Sequence, residues 1–237
     1  MRRAFLPIVL VGLLVLAGCL APLGTASAAD ANSDNSTVVA TGVGSVSTDA
    51  DLAQLTLAVS STADTADDAR GQTATRVDAL VTALTDAGVD EANVTTTSFT
   101  LTPLYDYREG GRQLLGYRAV HVLQVEVAPA DAGRIVDTSV GAAEVEIWGV
   151  AFTLSDERRA ELRSEAIADA VANARNDADA AAGAAGLTIT GVDSVQVGGY
   201  AYPVARYAEA AAEDGSTEFM PGPVTVSASV TVSYRTE

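Results

Sequence analysis

One histidine, one cysteine and a surplus of carboxylates are the groups in this 237-residue chain whose types could do chemistry. His121 stands in the alternating run Leu115, Tyr117, Ala119, His121, Leu123, Val125. That places it on the apolar face of a strand, where a packed, hydrogen-bonded imidazole is expected rather than a general base. Without a second histidine a serine triad has few options, and no G-x-S-x-G elbow is present. A Cys/His zinc site cannot be built within one chain, which leaves only a symmetric site shared between copies. No metal and no cofactor is expected. The carboxylates fall where helices should begin. Asp64, Asp67 and Asp68, and again Asp156 with Glu157, complement the positive end of a helix dipole. Asp49-Ala50-Asp51 opens as a calcium loop does but lacks the glycine and the closing bidentate Glu. Gly42-Val43-Gly44-Ser45-Val46-Ser47 looks like a phosphate loop, yet it lies in a strand that precedes another strand and has no helix N-terminus to hold an anion.

The cysteine has a different chemistry. Cys19 closes the tetrapeptide Leu16-Ala17-Gly18-Cys19 after the apolar stretch from Phe5 to Leu16, with Arg2 and Arg3 ahead of it. This basic-then-apolar order is that of an export signal. The tetrapeptide resembles a lipobox, in which cleavage before the cysteine frees a thiol for alkylation by a lipid. Arg2-Arg3-Ala4-Phe5-Leu6 resembles the twin-arginine motif, an address read by a receptor. Two other readings stand beside the lipid anchor. The run from Ala4 to Leu23 is nearly the ~20 residues that span a bilayer, and Ala26-Ser27-Ala28 fits ordinary signal cleavage. All three put the remaining chain outside the cytoplasmic membrane. Residues 1–29 are therefore read as signal and lipobox, 30–37 as an Asn-, Ser- and Asp-rich tether, and 38–237 as the domain. Asn35-Ser36-Thr37 and Asn93-Val94-Thr95 are sequons for N-glycosylation.

Composition narrows the setting. Asp and Glu number 31 against 14 basic residues, every one of them Arg, for a formal charge of -17. Such a surface repels nucleic acid, whose binding requires Lys and Arg to neutralise phosphates. High acidity without lysine is expected of a protein from a high-salt organism, where screening relieves self-repulsion.

The domain reads as an alternation of strands and helices. Val38–Val46 and Leu52–Ser60 are β-rich runs split at Asp49-Ala50-Asp51, which predicts a hairpin. Asp64 or Thr65 opens a helix whose Val77, Leu80, Val81 and Leu84 share one face, and Gly88 closes it. Val94–Tyr107 and Leu114–Val127 form a second hairpin about Glu109-Gly110-Gly111. The second half, from about residue 129, starts a short helix with Ile135, Val136 and Val140 facing inward. A strand over Val145–Leu154 follows, and Ser155 then caps a long Ala-rich helix reaching about Ala185. Its inner face is mostly Ala, with Leu162, Ile167 and Val171 near the start, so it can approach a neighbouring surface closely. Leu187–Val197 and Val224–Tyr234 are the last strands.

This order and its local motifs resemble the SIMPL domain family, which includes proteins of the 26-kDa periplasmic immunogenic type. Val39-Ala40-Thr41-Gly42-Val43-Gly44 is similar to the family's V-x-G-x-G strand. Ala87-Gly88-Val89 with Asn93-Val94-Thr95-Thr96 is similar to its helix-Gly-Ile and D-I-x-T passage. Phe99, Pro103, Tyr105 and Tyr107 resemble the approach to its tyrosine-rich hairpin, and Gly116-Tyr117 its return. Gly149-Val150-Ala151-Phe152 is similar to its G-V-x-F strand. Glu165-Ala166 and Ala170 match the repeated alanines of its helix, and Val230–Tyr234 its closing strand. The resemblance implies an α+β fold of two related halves, about 38–128 and 129–237, each of antiparallel strands packed on helices. It also implies larger oligomers, and roles in stress protection, signalling or the envelope rather than catalysis. The acidic stretch from Glu209 to Glu218 departs from the family pattern.

Tyr105, Tyr107 and Tyr117 surround the Gly-Gly turn, while Tyr200, Tyr202, Tyr207 and Phe219 lie in the long stretch from Gly198 to Pro223. Tyrosine covers interface area at small entropic cost, so both groups are candidate contact surfaces; the other reading folds the rings back over the core edge. The long stretch exceeds the usual length of a structureless connection and is expected to be disordered or engaged in contact. The favoured function is a noncatalytic, membrane-tethered envelope protein that works as a homo-oligomer or by binding an envelope protein. A solute-binding lipoprotein would need a deep cleft, and an extracytoplasmic hydrolase a carboxylate pair with one raised pKa.

Overall fold

The computed structural model describes residues 36–108, 111–198, 206–207, 210–213 and 216–237. Strands β1 (Ser36–Thr48), β2 (Leu52–Ala63), β3 (Val94–Asp106), β4 (Gln113–Val127), β5 (Val145–Thr153) and β6 (Ile189–Val197) alternate with helices α1 (Ala66–Asp86), α2 (Ala132–Ala142) and α3 (Asp156–Ala185). The short strands β7 (Arg206–Tyr207), β8 (Ala210–Glu213) and β9 (Ser216–Phe219) precede β10 (Val224–Thr236). Three antiparallel sheets result, ordered β1-β10-β6, β3-β4-β2-β5-β7 and β8-β9. The class is α+β, with antiparallel strands packed on helices as expected. Among the described residues no helix is long and apolar enough to cross a membrane.

The expected hairpin of the first two strands does not form. β1 pairs along its whole length with β10, from Ser36 opposite Thr236 to Thr48 opposite Val224, whereas β2 lies between β4 and β5. The turn carries the chain from one sheet to the other because Asp51 is held elsewhere. Its carboxylate accepts from the Ser155 N–H at 2.8 Å and from the Ser155 hydroxyl at 2.6 Å. Strands cross the midpoint of the chain in both directions, since β5 joins β2 and β10 joins β1. The line near residue 128 therefore does not divide the sheets.

The two sheets bury their helices differently. Beneath α1 and α2 the five-stranded sheet packs Leu55, Leu57, Val59, Leu123 and Phe152 against Leu80, Leu84 and Ile135. Gly88 ends α1 at φ +91°, a left-handed position glycine takes without strain. In α2, Ile135 and Val136 are buried but Val140 is exposed. Ser139 occupies the inner face instead, donating its hydroxyl to the Ile135 carbonyl at 2.7 Å.

Beneath α3, Val230, Val232 and Tyr234 of β10 are buried, and over β1 the packing is backbone against backbone. Ala166, Ala170, Ala174, Ala178 and Ala182 recur every fourth residue and are all buried. Opposite them stand Gly42 and Gly44, where a Cβ would overlap the carbonyl oxygens of Ala170 and Ala166 respectively. Glycine is required there by the approach of the helix and not by loop conformation. Leu162 is buried and Ile167 half-buried, but Val171, one residue beyond the Ala170 row, is exposed. Ser155 caps the helix by accepting from Arg158 N–H, and Gly186 closes it at φ +73°.

Candidate interaction surface

β2 reaches only as far as Ala63, opposite Tyr117, while β3 and β4 continue as a two-stranded ribbon to Asp106 and Gln113. Gly116 makes this departure possible. It lies at φ +144°, and a Cβ there would be 2.7 Å from the Ala63 carbonyl oxygen. The register jumps from Leu104 opposite Gly116 to Tyr105 opposite Leu114, so Leu115 is the extra residue of a bulge. At the ribbon Tyr107 is 70% and Leu115 55% exposed, and Leu114 is exposed too; Phe99 and Leu101 are exposed further back, on the edge strand of the sheet.

The tyrosine-rich end is ordered by cations. The Arg112 guanidinium sits 3.7 Å above the half-buried Tyr105 ring, which lies 6.3 Å from Tyr107. Hydrogen bonds from the Arg108 side chain and backbone N–H hold the Asp106 carboxyl below its ordinary range. Tyr117 is half-buried at the base of the ribbon. His121 meets its expected role. It is half-buried, bonds Thr96 Oγ1 through Nε2 at 2.8 Å, and meets the edge of Phe99 at 5.7 Å between ring centres.

The second aromatic group separates. Phe219 is half-buried and packs 5.8 Å from Phe152 on the main core. It serves the β8-β9 hairpin, which α2 receives through the small residue Gly133 and through Asp137, a bidentate acceptor for Thr217 N–H and hydroxyl. The stretch expected to be disordered or in external contact is thus partly sheet, and Tyr207 pairs its backbone with Ala151. Tyr200 and Tyr202 lie outside the described residues, as do Cys19, Arg2, Arg3, Phe5, Leu6 and Asn35. Asn93 is exposed at the end of a 3-10 turn.

Three of the helix-start carboxylates have structural partners, whereas Asp64 precedes the Thr65 cap and lies outside the first turn. Asp68 accepts from the Thr65 hydroxyl that caps it, Asp67 pairs with Arg70 at 2.7 Å, and Asp156 pairs with Arg159. Partial burial pushes the Asp51 carboxyl up, but the two hydrogen bonds from Ser155 and the charge of Arg158 hold it below its ordinary value of 3.8. That is opposite to the shift a general acid needs. Among the described residues no group of three or more His, Cys, Asp or Glu is arranged to hold a metal. A cleft of about 460 Å³ opens beside Asp51, Ser155, Glu157, Arg158 and Glu161, all polar or charged.

A family model for SIMPL, described as a protein of unknown function (DUF541), matches residues 38–234. The chain belongs to the SIMPL family. It is 31% identical over 161 residues to the uncharacterized protein YggE of Edwardsiella ictaluri (strain 93-146), a match covering 67% of this chain and 66% of that protein. The chain thus spans just under two thirds of that relative's length. Within this SIMPL protein the V-x-G-x-G-like segment is the glycine seam under α3, and the Gly116-Tyr117 segment is the bulge that releases the ribbon.

Two exposed features escaped the sequence reading. Leu114-Leu115 carried a usable signal, because adjacent strand residues point to opposite faces and one of two leucines must face outward. Trp148 is the extra residue of a bulge between the pairs Thr56–Gly149 and Leu57–Ile147, and is 57% exposed. Its indole N–H donates to Glu146 at 3.3 Å, and Glu146 also binds Arg118 at 3.1 Å. A bulge is set by the partner strand, so the local alternation could not reveal it.

Proposed function

We propose that this SIMPL protein is held outside the cytoplasmic membrane by its N-terminal segment and acts there, without catalysis, by assembling with copies of itself or engaging an envelope protein. The observation that carries the reading is the ribbon of β3 and β4, which extends beyond the sheet and presents Tyr107, Leu114 and Leu115 to solvent. Apolar side chains on a projecting arm gain most when a second surface covers them. The export-type pattern ending at Cys19 supports the location. Protection of the envelope under stress is the role the family resemblance suggests for such an assembly.

The test is the molar mass of the full chain in mild detergent, by light scattering, beside a Leu115→Glu variant. A discrete oligomer is expected for the natural chain and a smaller species for the variant. A natural chain that stays monomeric at every concentration and retains no envelope protein would sink the reading.

A further inference from the structure

The three-stranded sheet has a second face, turned away from α3. Along β1 the side chains of Val38, Ala40, Gly42, Gly44 and Val46 turn inward, and Val39, Thr41, Val43, Ser45 and Ser47 outward. Across from the outward residues, β10 presents Thr225, Ser227, Ser229, Thr231 and Ser233. Among the described residues no helix or strand packs on this face. Val39 is 63% and Val43 59% exposed. Hydroxyls bond one another across the strands, Thr41 to Thr231 at 3.0 Å and Ser47 to Thr225 at 2.8 Å, and the side chains of this face are mostly small.

Its charge is the informative property. β1 has no charged residue; β10 has Arg235 and β6 has Asp193, and these two lie 3.7 Å apart. The sheet is neutral in a chain of formal charge -17. Two like-charged copies can approach closely only where carboxylates are absent, because each exposed carboxylate brought against another costs association energy. The area is sufficient. Strand spacings of ~4.8 Å and ~3.4 Å per residue give the face roughly 550 Å² per copy, or about 1,100 Å² for a pair, at the low end of specific interfaces.

We propose that this face stacks on the same face of a second copy, sheet on sheet about a two-fold axis, seating Val39 and Val43 against the partner's hydroxyl-bearing strands. Small side chains permit close, aligned packing of the two sheets. The pairing rests on the assembly reading above and adds to it a contact separate from the ribbon. Because the rest of each copy is acidic, the pair is strengthened by salt.

The experiment is sedimentation of the full chain in mild detergent, at low and at molar salt, with Val43→Glu, Val39→Glu, Leu115→Glu and the double variant Val43→Glu/Leu115→Glu. Val39 and Val43 are exposed, so both glutamate variants are expected to fold, which circular dichroism checks. The pairing predicts a mass halved by either valine variant, a mass that rises with salt in the natural chain, and a monomer for the double variant. Valine variants of unchanged mass overturn the pairing; if Leu115→Glu still lowers the mass, the ribbon reading survives alone. Loss of mass in the valine variants but not in Leu115→Glu supports the pairing and removes the ribbon. Unchanged mass with a lowered melting temperature assigns the face to another part of the same chain and also overturns the pairing.

Discussion

The two sheets of this molecule meet their helices by opposite means. Under α1 and α2, leucine, valine and phenylalanine side chains fill the space, and cohesion follows buried apolar area. Under α3 the two strands differ: β10 supplies buried Val230, Val232 and Tyr234, but over β1 alanines face Gly42 and Gly44, and the helix backbone lies on the strand backbone. The first arrangement tolerates loss of volume at a graded cost. At its two glycines the second tolerates no gain, since nothing flexible stands there between the two main chains. The difference also orients the molecule, because the thin seam lets one long helix cover β1 and β10 while leaving β6 with Val192, Val195 and Val197 exposed beside it.

The comparison is most exposed to failure at the seam. Gly44→Val is expected to cost at least about 4 kcal/mol in urea denaturation, because the new side chain meets backbone atoms of Ala166 and Ala170. A loss below about 1 kcal/mol would show that α3 can simply lift, and the contrast would collapse. In the other sheet Leu57→Ala, at a fully buried position, should cost about 3 kcal/mol through lost transfer energy and a residual cavity. Where the two regions join, Ser155→Ala removes both the cap of α3 and the hydroxyl bonded to Asp51, for about 1.5 kcal/mol.

The same junction has a pH signature. The folded carboxyl of Asp51 lies below its ordinary 3.8, so its contribution is complete above that value and is lost as pH falls through the lower folded one. Stability measured from about pH 5 to pH 2 should therefore fall more steeply in the natural chain than in Ser155→Ala. Equal slopes would remove Asp51 as the clamp between the sheets. The smallest effect belongs to the outer face of α3. Asp179→Ala breaks an exposed i, i+4 pair with Arg175 and should change stability by about 0.5 kcal/mol or less.

Local features of this fold were legible because their causes are local. Ser155 as a cap, Gly88 as a terminator, and the apolar spacing of Val77, Leu80 and Leu84 each act within a few residues and appear where expected, and of Asp64 and Thr65 it is Thr65 that caps α1. The β3-β4 hairpin was legible for the same reason. The partner of β1 was not. Its pairing spans nearly the whole chain, and the turn at Asp49-Ala50-Asp51 looks alike whether it closes a hairpin or changes sheets. For Phe219 the sequence leaves contact surface and core edge both open, because aromatic type does not say which side of a strand the core lies on; its packing on Phe152 decides for the core.

By itself the sequence determined, to within a few residues, the seven long strands and the three α-helices among the described residues, the neutrality of β1 and the two-sidedness of every alternating run. Periodicity and capping act over one turn or one pleat, so they need no partner. The tertiary structure alone decided which face of each strand is covered, that Gly42 and Gly44 serve a helix rather than a ligand, and that Leu115 is thrust outward on a ribbon. Those outcomes depend on contacts between residues far apart in the chain, where no local spacing carries the information.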